Sequence, residues 1–392
     1  MLTSGDFKIS PRVSRQISSP LTEIFELRDN YLSSANSFDL IDGSQGVPNY
    51  PPPIEVMNEI RNASQERESY SYTDRRGILT LRDAICDDFG SNYGFQVNTD
   101  EVLITSGCNA AFCVAASTIL DQGDEVIVPS PHYFNHPMWL EMIGAKVVDS
   151  QSKANGEPDF DEIINLISPN TRAVVLVSPG NPTGATISAQ TLEEVTLLLA
   201  QRGIYVILDE TYRAFSEQAQ LAFSGSQFDQ NPNLIRLLSF SKELAIPGLR
   251  VGAACANRTL THEMLKVHDC FSICTPLIGQ LAAEAGLKHG NNWKLQRTSC
   301  IAKKRNRFSE LISDQDRGFE IIQCGGFFAW LKHPFRDMSS WEVTRKLLFE
   351  AGLLTLPGCL FGKGQEAYVR VGVASLDEEE IKSFISRSSN LR

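Results

Sequence analysis

The sequence predicts an α/β protein: a large domain with a mostly parallel sheet sandwiched by helices, plus a smaller α+β domain. Three observations predict it. Short apolar runs at 101–105, 125–129, 173–177, 204–208 and 234–238 are near-continuous rather than alternating. That pattern marks strands buried on both faces, as in a parallel sheet covered by helices. Helical stretches lie between them, for instance 190–201 with Leu192, Val195, Leu198 and Leu199 at helical spacing. Such alternation over roughly 200 residues requires crossover connections. After about residue 288 the texture changes. A long helix at 293–312 leads to Gly325-Gly326-Phe327-Phe328-Ala329-Trp330, a helix at 340–351 and a strand at 367–371.

The elements follow in order. Residues up to about 37 are polar and weakly patterned, and no element is predicted there. A turn-rich segment at 43–53 holds Pro48, Pro51, Pro52 and Pro53. These prolines exclude helix and leave an extended crossing segment. A helix is expected over 54–61. The expected division is 1–52 as an N-terminal arm and part of the small domain, 53–287 as the large cofactor-binding domain, and 288–392 as the small C-terminal domain. The basic run Lys303-Lys304-Arg305-Asn306-Arg307 reads as the solvated face of a helix.

Composition narrows the function. The 392 residues are 42% hydrophobic and 21% charged, enough for packed cores. A net charge of −11 without a basic stripe argues against nucleic acid. The nine cysteines are odd in number and form no CxxC pair, so reduced thiols are expected rather than disulfides or a zinc site. The first residues lack the apolar block of a secretory signal, and no uncharged apolar stretch approaches the ~20 residues that span a bilayer. A soluble, cytoplasmic protein without membrane attachment is expected.

In sheets of this kind ligands sit beyond the carboxyl ends of the strands, so the residues after each strand carry the chemistry. Thr105 is followed by Ser106-Gly107-Cys108-Asn109 and a helix from Ala110, a glycine turn offering free N–H groups to a phosphate. Val177 is followed by Ser178-Pro179-Gly180-Asn181-Pro182-Thr183-Gly184. Leu208 is followed by Asp209-Glu210-Thr211-Tyr212; a carboxylate ending a buried strand is either paired or functional. Leu238 is followed by Ser239-Phe240-Ser241-Lys242, with Arg250 eight residues past the lysine.

In this order and spacing the motifs resemble the fold-type I pyridoxal-phosphate enzymes, and within them the class I/II aminotransferase family. The resemblance covers essentially the whole chain. Its most specific element is the segment from Ser239 through Lys242 and Arg250 to Gly252. It implies an aspartate-aminotransferase-like fold, and pyridoxal 5′-phosphate carried by Lys242 as a Schiff base. It also implies an enzyme that moves an amino group between an L-amino acid and a 2-oxo acid. Lys242 would be the acid/base of the proton shift. Asp209 would pair with the protonated ring nitrogen. Asn181 and Tyr212 would bond the ring's 3-oxygen. Gly107, Cys108, Asn109, Ser239, Ser241 and Arg250 would hold the phosphate. Tyr133 matches the aromatic that stacks on the ring, with Phe134 the adjacent alternative. Tyr72 matches a tyrosine that reaches the phosphate of a neighbouring subunit, which implies a homodimer with composite sites. Arg370, in Tyr368-Val-Arg370-Val-Gly372, matches the arginine for the substrate α-carboxylate, and Gly46 a backbone contact to it.

This chain departs from the pattern in two respects. Cys108 occupies a place that usually holds a small inert residue, and no second arginine is evident for a side-chain carboxylate. Two alternatives stand beside transamination: another outcome of the same carbanion, as in a lyase, oxidase or cyclase, and a catalytically silent binding module.

Overall fold

The computed structural model describes residues 8–17, 19–34, 37–94, 96–216, 228, 230–313 and 318–391. A two-residue strand β1 (Ile41–Asp42) precedes the main sheet. That sheet comprises β2 (Val102–Thr105), β3 (Glu125–Ser130), β4 (Lys146–Gln151), β5 (Thr171–Val177), β6 (Tyr205–Asp209), β7 (Leu234–Ser239) and β8 (Gly252–Ala256), in the order β2-β8-β7-β6-β5-β3-β4. All pairings are parallel except those of β8, which runs against both β2 and β7.

The near-continuous apolar runs have the predicted cause, since successive residues of one strand feed two cores. In β6, Val206 and Leu208 join one core beneath the helices Leu79–Tyr93, Ala189–Gln201 and Leu277–His289. Ile207 faces the other, beneath Cys108–Ile119 and Arg258–Ser272. Each Val, Leu or Ile so enclosed contributes about 1.5–3 kcal/mol. The same alternation sends Asp209 to the second face and Glu210 to the first.

The expected strands are present with ends shifted by a residue or two, and the predicted helices appear as Ile54–Ala63, Ala189–Gln201, Asn291–Ser313 and Ser340–Ala351. Two strands of this main sheet were not anticipated. β4 is half-exposed and polar, and β8 is built of Gly, Ala and Cys, which have weak strand propensity. It is nonetheless fully buried between two neighbours.

A second, four-stranded sheet has the order β12-β13-β10-β9: β9 (Glu320–Gly325), β10 (Phe328–Lys332), β12 (Leu356–Pro357) and β13 (Tyr368–Val371), all antiparallel. The helices Asn291–Ser313, Ser340–Ala351 and Glu378–Ser389 enclose its core through Phe308, Leu347 and Phe384. β11 (Leu353–Leu354) pairs in parallel with β1, attaching the N-terminal segment to this unit.

Two expectations are corrected. The N-terminal stretch contains a helix, Pro20–Leu32. Of its large apolar side chains only Ile24 and Tyr31 are fully enclosed, in a cluster with Trp330, Leu348 and Phe361, so its stripe was too narrow to read. The basic run at 303–307 is not solvated throughout. Arg305 is buried and donates Nη1 to the carbonyls of Phe215 (2.7 Å) and Gly326 (3.1 Å).

Candidate active site

The carboxyl ends of β2, β5, β6 and β7 converge on a cavity of about 180 Å³. Its wall takes Cys108 and Asn109 from the start of the helix after β2, Asn181 from the turn after β5, Asp209 from the end of β6 and Tyr212 from just past it. Ser239 ends β7, Ser241, Lys242 and Arg250 follow it, and Tyr133 comes from beyond β3. Ten of the predicted residues are thus brought to one space.

At one end the donors suit a phosphate. Ser239 and Ser241 are buried, and Arg250 is held by bonds from Nη1 to the Pro247 carbonyl (3.1 Å) and from Nη2 to that of Ser106 (3.4 Å). Arg250 adopts the left-handed region (φ 53°), unusual for a side-chain-bearing residue. Gly107 makes this approach possible: at φ +88° it carries no Cβ, and one would lie 2.4 Å from Arg250 Nη2.

At the other end lies Asp209, 5% exposed. Its Oδ1 accepts from the Thr211 N–H (2.9 Å) and from the Cys108 thiol (3.6 Å), and its Oδ2 faces His136 Nε2 at 3.3 Å. Burial pushes the carboxyl up, but His136 and Thr211 outweigh it and hold it below the ordinary carboxylate range. A permanent carboxylate here suits a protonated ring nitrogen. His136 stacks on Phe112 (4.1 Å) and was missed by the sequence reading; its signal was its place three residues past Tyr133, on the helix that follows β3. Cys108 is more than a filler, because its thiol reaches the carboxylate. Burial and Asp209 push that thiol well above its usual value, so it stays protonated.

Lys242 lines the same cavity from the short helix Phe240–Glu243. Burial, then the guanidiniums of Arg370 and Arg250, pull its ammonium down to about 8. An amine with that value is neutral in a useful fraction near neutral pH, as a nucleophile requires. The cation-binding end, the nucleophilic amine and the phosphate-binding end together fit pyridoxal 5′-phosphate.

Arg370 lies in β13, not on the cavity wall, but reaches it. It is 4% exposed, donates Nη1 to Asn181 Oδ1 (2.8 Å) and also bonds the Ser44 carbonyl. The Phe328 and Phe361 rings flank it at 4.4 and 5.2 Å. Burial lowers it to about 10, still a cation at neutral pH. Gly46 runs against the same wall, where a Cβ would lie 2.6 Å from the Phe328 ring and 3.4 Å from Tyr212 Oη. Of the two aromatics after β3, Tyr133 lines the cavity while Phe134 is packed in a core with Trp330 and Phe361. Tyr72 is not part of this chain's own cavity wall; it is 80% exposed.

The family model for aminotransferase class I and II matches residues 39–387. The chain belongs to this family. It is 28% identical to aspartate aminotransferase of Pyrococcus horikoshii, the match covering 92% of each chain. It is 30% identical to a probable N-acetyl-LL-diaminopimelate aminotransferase of Bacillus subtilis, over 86% of this chain and 85% of that one. Among solved structures, aspartate aminotransferase from Thermotoga maritima superposes with a TM-score of 0.86 at 25% identity, covering 97% and 99% of the two chains. This aminotransferase therefore has an aspartate-aminotransferase-like fold, and its reaction is amino-group transfer. Among the described residues no cluster of His, Cys, Asp and Glu is arranged to hold a metal ion, and no helix is long and apolar enough to cross a membrane.

Proposed function

We propose that the cavity binds pyridoxal 5′-phosphate and that the enzyme transfers the amino group of an L-amino acid to a 2-oxo acid. The observation that carries this is the convergence of Lys242, Asp209, Asn181, Tyr212 and Arg250 on one space. When bound, the cofactor supplies a sink for the electron pair left on the amino acid's α-carbon. The chain's residues do the rest. Lys242 Nζ would hold the cofactor and, once the substrate's amine has displaced it, would take the α-proton as a free amine. Asp209 keeps the ring nitrogen charged, and Asn181 and Tyr212 bond the ring's 3-oxygen. Tyr133 covers a ring face. Gly107, Cys108, Asn109, Ser239, Ser241 and Arg250 hold the phosphate. Arg370, with the Gly46 backbone, binds the α-carboxylate.

The same reading assigns residues 1–52 to an arm and part of the small domain, 53–287 to the cofactor-binding domain and 288–392 to the small domain. The β1–β11 pairing supports that first assignment. It makes the active unit a homodimer, supported by the exposure of Tyr72 outside its own site. It places the enzyme in the cytoplasm, supported by nine free thiols. An amino-donor screen on the holoenzyme, following 2-oxo acid formation and oxygen uptake together, tests the reaction. Stoichiometric keto-acid exchange without oxygen uptake is expected; elimination or oxygen consumption would replace transamination with another carbanion route.

A further inference from the structure

Each of the three residues assigned to the chemistry is followed by a buried charge. Asp209 precedes Glu210, Tyr212 precedes Arg213, and Lys242 precedes Glu243; all three successors are 5–7% exposed. They lie beneath the cavity, against the helix Leu79–Tyr93. Glu210 takes a bidentate pair from Arg236 at 2.6 and 2.7 Å. Arg213 meets Asp88 Oδ2 at 2.6 Å and Glu243 Oε2 at 3.7 Å. Lys294 closes the ring, reaching Glu243 Oε1 at 3.1 Å and Asp88 Oδ1 at 3.5 Å. The Phe89 ring lies between two guanidiniums, with Arg213 at 5.1 Å and Arg236 at 4.6 Å.

Within this layer Asp88, Arg213, Glu243 and Lys294 make a balanced ring of two positive and two negative groups, and nothing in the reaction uses them. Buried ion pairs rarely add net stability over well-packed apolar groups, because desolvation offsets the attraction. What they do supply is geometry, since removing one partner leaves a buried charge unmatched. Here the geometry joins the residue after Tyr212 directly to the residue after Lys242. Lys294 belongs to the helix Asn291–Ser313, which packs on β9 of the small sheet, so the cluster also ties that helix to the lysine segment.

We propose that the Asp88–Arg213–Glu243–Lys294 cluster positions Lys242 relative to Tyr212, with Glu243 fixing the lysine segment and Lys294 tying it to the helix of the small domain. The proposal rests on Lys242 being the cofactor-bearing amine. Displacing that segment carries the amine toward water and away from Arg370 and Arg250, the groups that depress its ammonium.

The test compares wild type, Glu243→Gln, Lys294→Met, Lys294→Arg and the double variant Glu243→Gln/Lys294→Met. The full chain, stripped of cofactor, is labelled with an amine-acylating reagent across pH, and the midpoint at Lys242 is read by peptide mapping. In Glu243→Gln and Lys294→Met the midpoint should rise from about 8 by about one unit. In the reconstituted enzyme kcat should fall roughly tenfold with the donor KM little changed. Lys294→Arg should retain the wild-type midpoint, and the double variant should be no worse than Glu243→Gln, because the constraint is already broken. A lowered melting temperature with midpoint and kcat unchanged would show that the cluster only holds the fold, and would overturn the proposal. If Glu243→Gln does not fold, the two Lys294 variants decide, since that side chain lies at the rim and is 11% exposed. Borohydride labelling of wild type at a lysine other than Lys242 overturns the underlying reading instead, and the proposal with it.

Discussion

Arg370 Nη1 donates to Asn181 Oδ1 across 2.8 Å, joining a strand of the small sheet to the turn after β5 of the large one. A second bond from Arg370 goes to the Ser44 carbonyl, so three separate stretches of chain meet at one guanidinium. Its Nε has no partner among the described residues. A buried cation with an unused donor, flanked by two aromatic rings, suits a carboxylate, and no carboxylate among the described residues is paired with it. On the proposed reading, the substrate site would be assembled between the two sheets, while the cavity wall comes from segments around the large sheet.

Lys242→Ala should abolish covalent cofactor attachment and turnover. Because the ammonium is lowered to about 8, the amine is neutral above that pH and protonated below it. Attachment of added pyridoxal 5′-phosphate to the stripped wild type should therefore speed up as pH rises through 8. Borohydride reduction and peptide mapping should locate the label on Lys242; a label elsewhere contradicts the assignment.

Asp209→Ala should lower kcat by a factor on the order of a thousand or more, with the cofactor still bound, since the ring nitrogen loses the partner that keeps it charged. His136 helps hold the carboxyl below its ordinary range. A group with a depressed value is charged above that value and loses its charge as pH falls through it. Replacing His136 with Asn should raise the Asp209 value, moving the acid limb of the pH–activity profile to higher pH. An unmoved limb would show that Thr211 suffices.

Much of this site was legible because each motif follows a buried strand, and a parallel sheet delivers its strand ends to one edge. That put Asp209 and Lys242 at one edge, and the resemblance of the segment Ser239 to Gly252 singled out the lysine. His136 could not be read this way, because its role depends on the helix after β3 folding over Asp209, a contact between residues 73 positions apart. The ionic layer was equally hidden. Glu210, Arg213 and Glu243 look like ordinary surface charges until the alternation of β6 and the helix Leu79–Tyr93 enclose them. The helix Pro20–Leu32 and strand β8 were missed for the opposite reason. Strand β8 has no large apolar residue and owes its burial to its neighbours, while the helix has six but fully encloses only Ile24 and Tyr31 among them.

Gly107→Ala should weaken the phosphate end selectively. The added Cβ would lie 2.4 Å from Arg250 Nη2 at a φ of +88°, so both backbone and guanidinium must shift. Affinity for pyridoxal 5′-phosphate should fall by roughly ten- to a hundredfold, consistent with the ~1.5–3 kcal/mol typical of a hydrogen bond to a charged group. Pyridoxal without its phosphate should bind the variant and wild type alike. Equal losses for both ligands would mean that the glycine supports the fold rather than the phosphate.

Tyr72→Phe should weaken cofactor retention without changing melting temperature, because the side chain is 80% exposed. Sedimentation across a concentration series should show a dimer that carries the activity. A fully active monomer rules out composite sites.

Arg370→Ala should impair every amino donor alike. The side chain is buried, so a carboxylate reaching it forms a charged pair shielded from water. Losing one partner of such a pair costs about 2–5 kcal/mol, or roughly 30- to several-thousand-fold in kcat/KM. Lysine should rescue only part of this, because a point charge lacks the planar fork that can engage Asn181 and a carboxylate together. Attachment of the cofactor to Lys242 should survive. The ammonium of Lys242 should rise above about 8, since Arg370 is one of the cations that depress it. The decisive measurement is kcat/KM for several L-amino acids beside an amine lacking the carboxylate. Loss confined to one side-chain type would make Arg370 a reader of side chains. Equal loss on the carboxylate-free amine would make it a support for Asn181 rather than a substrate anchor.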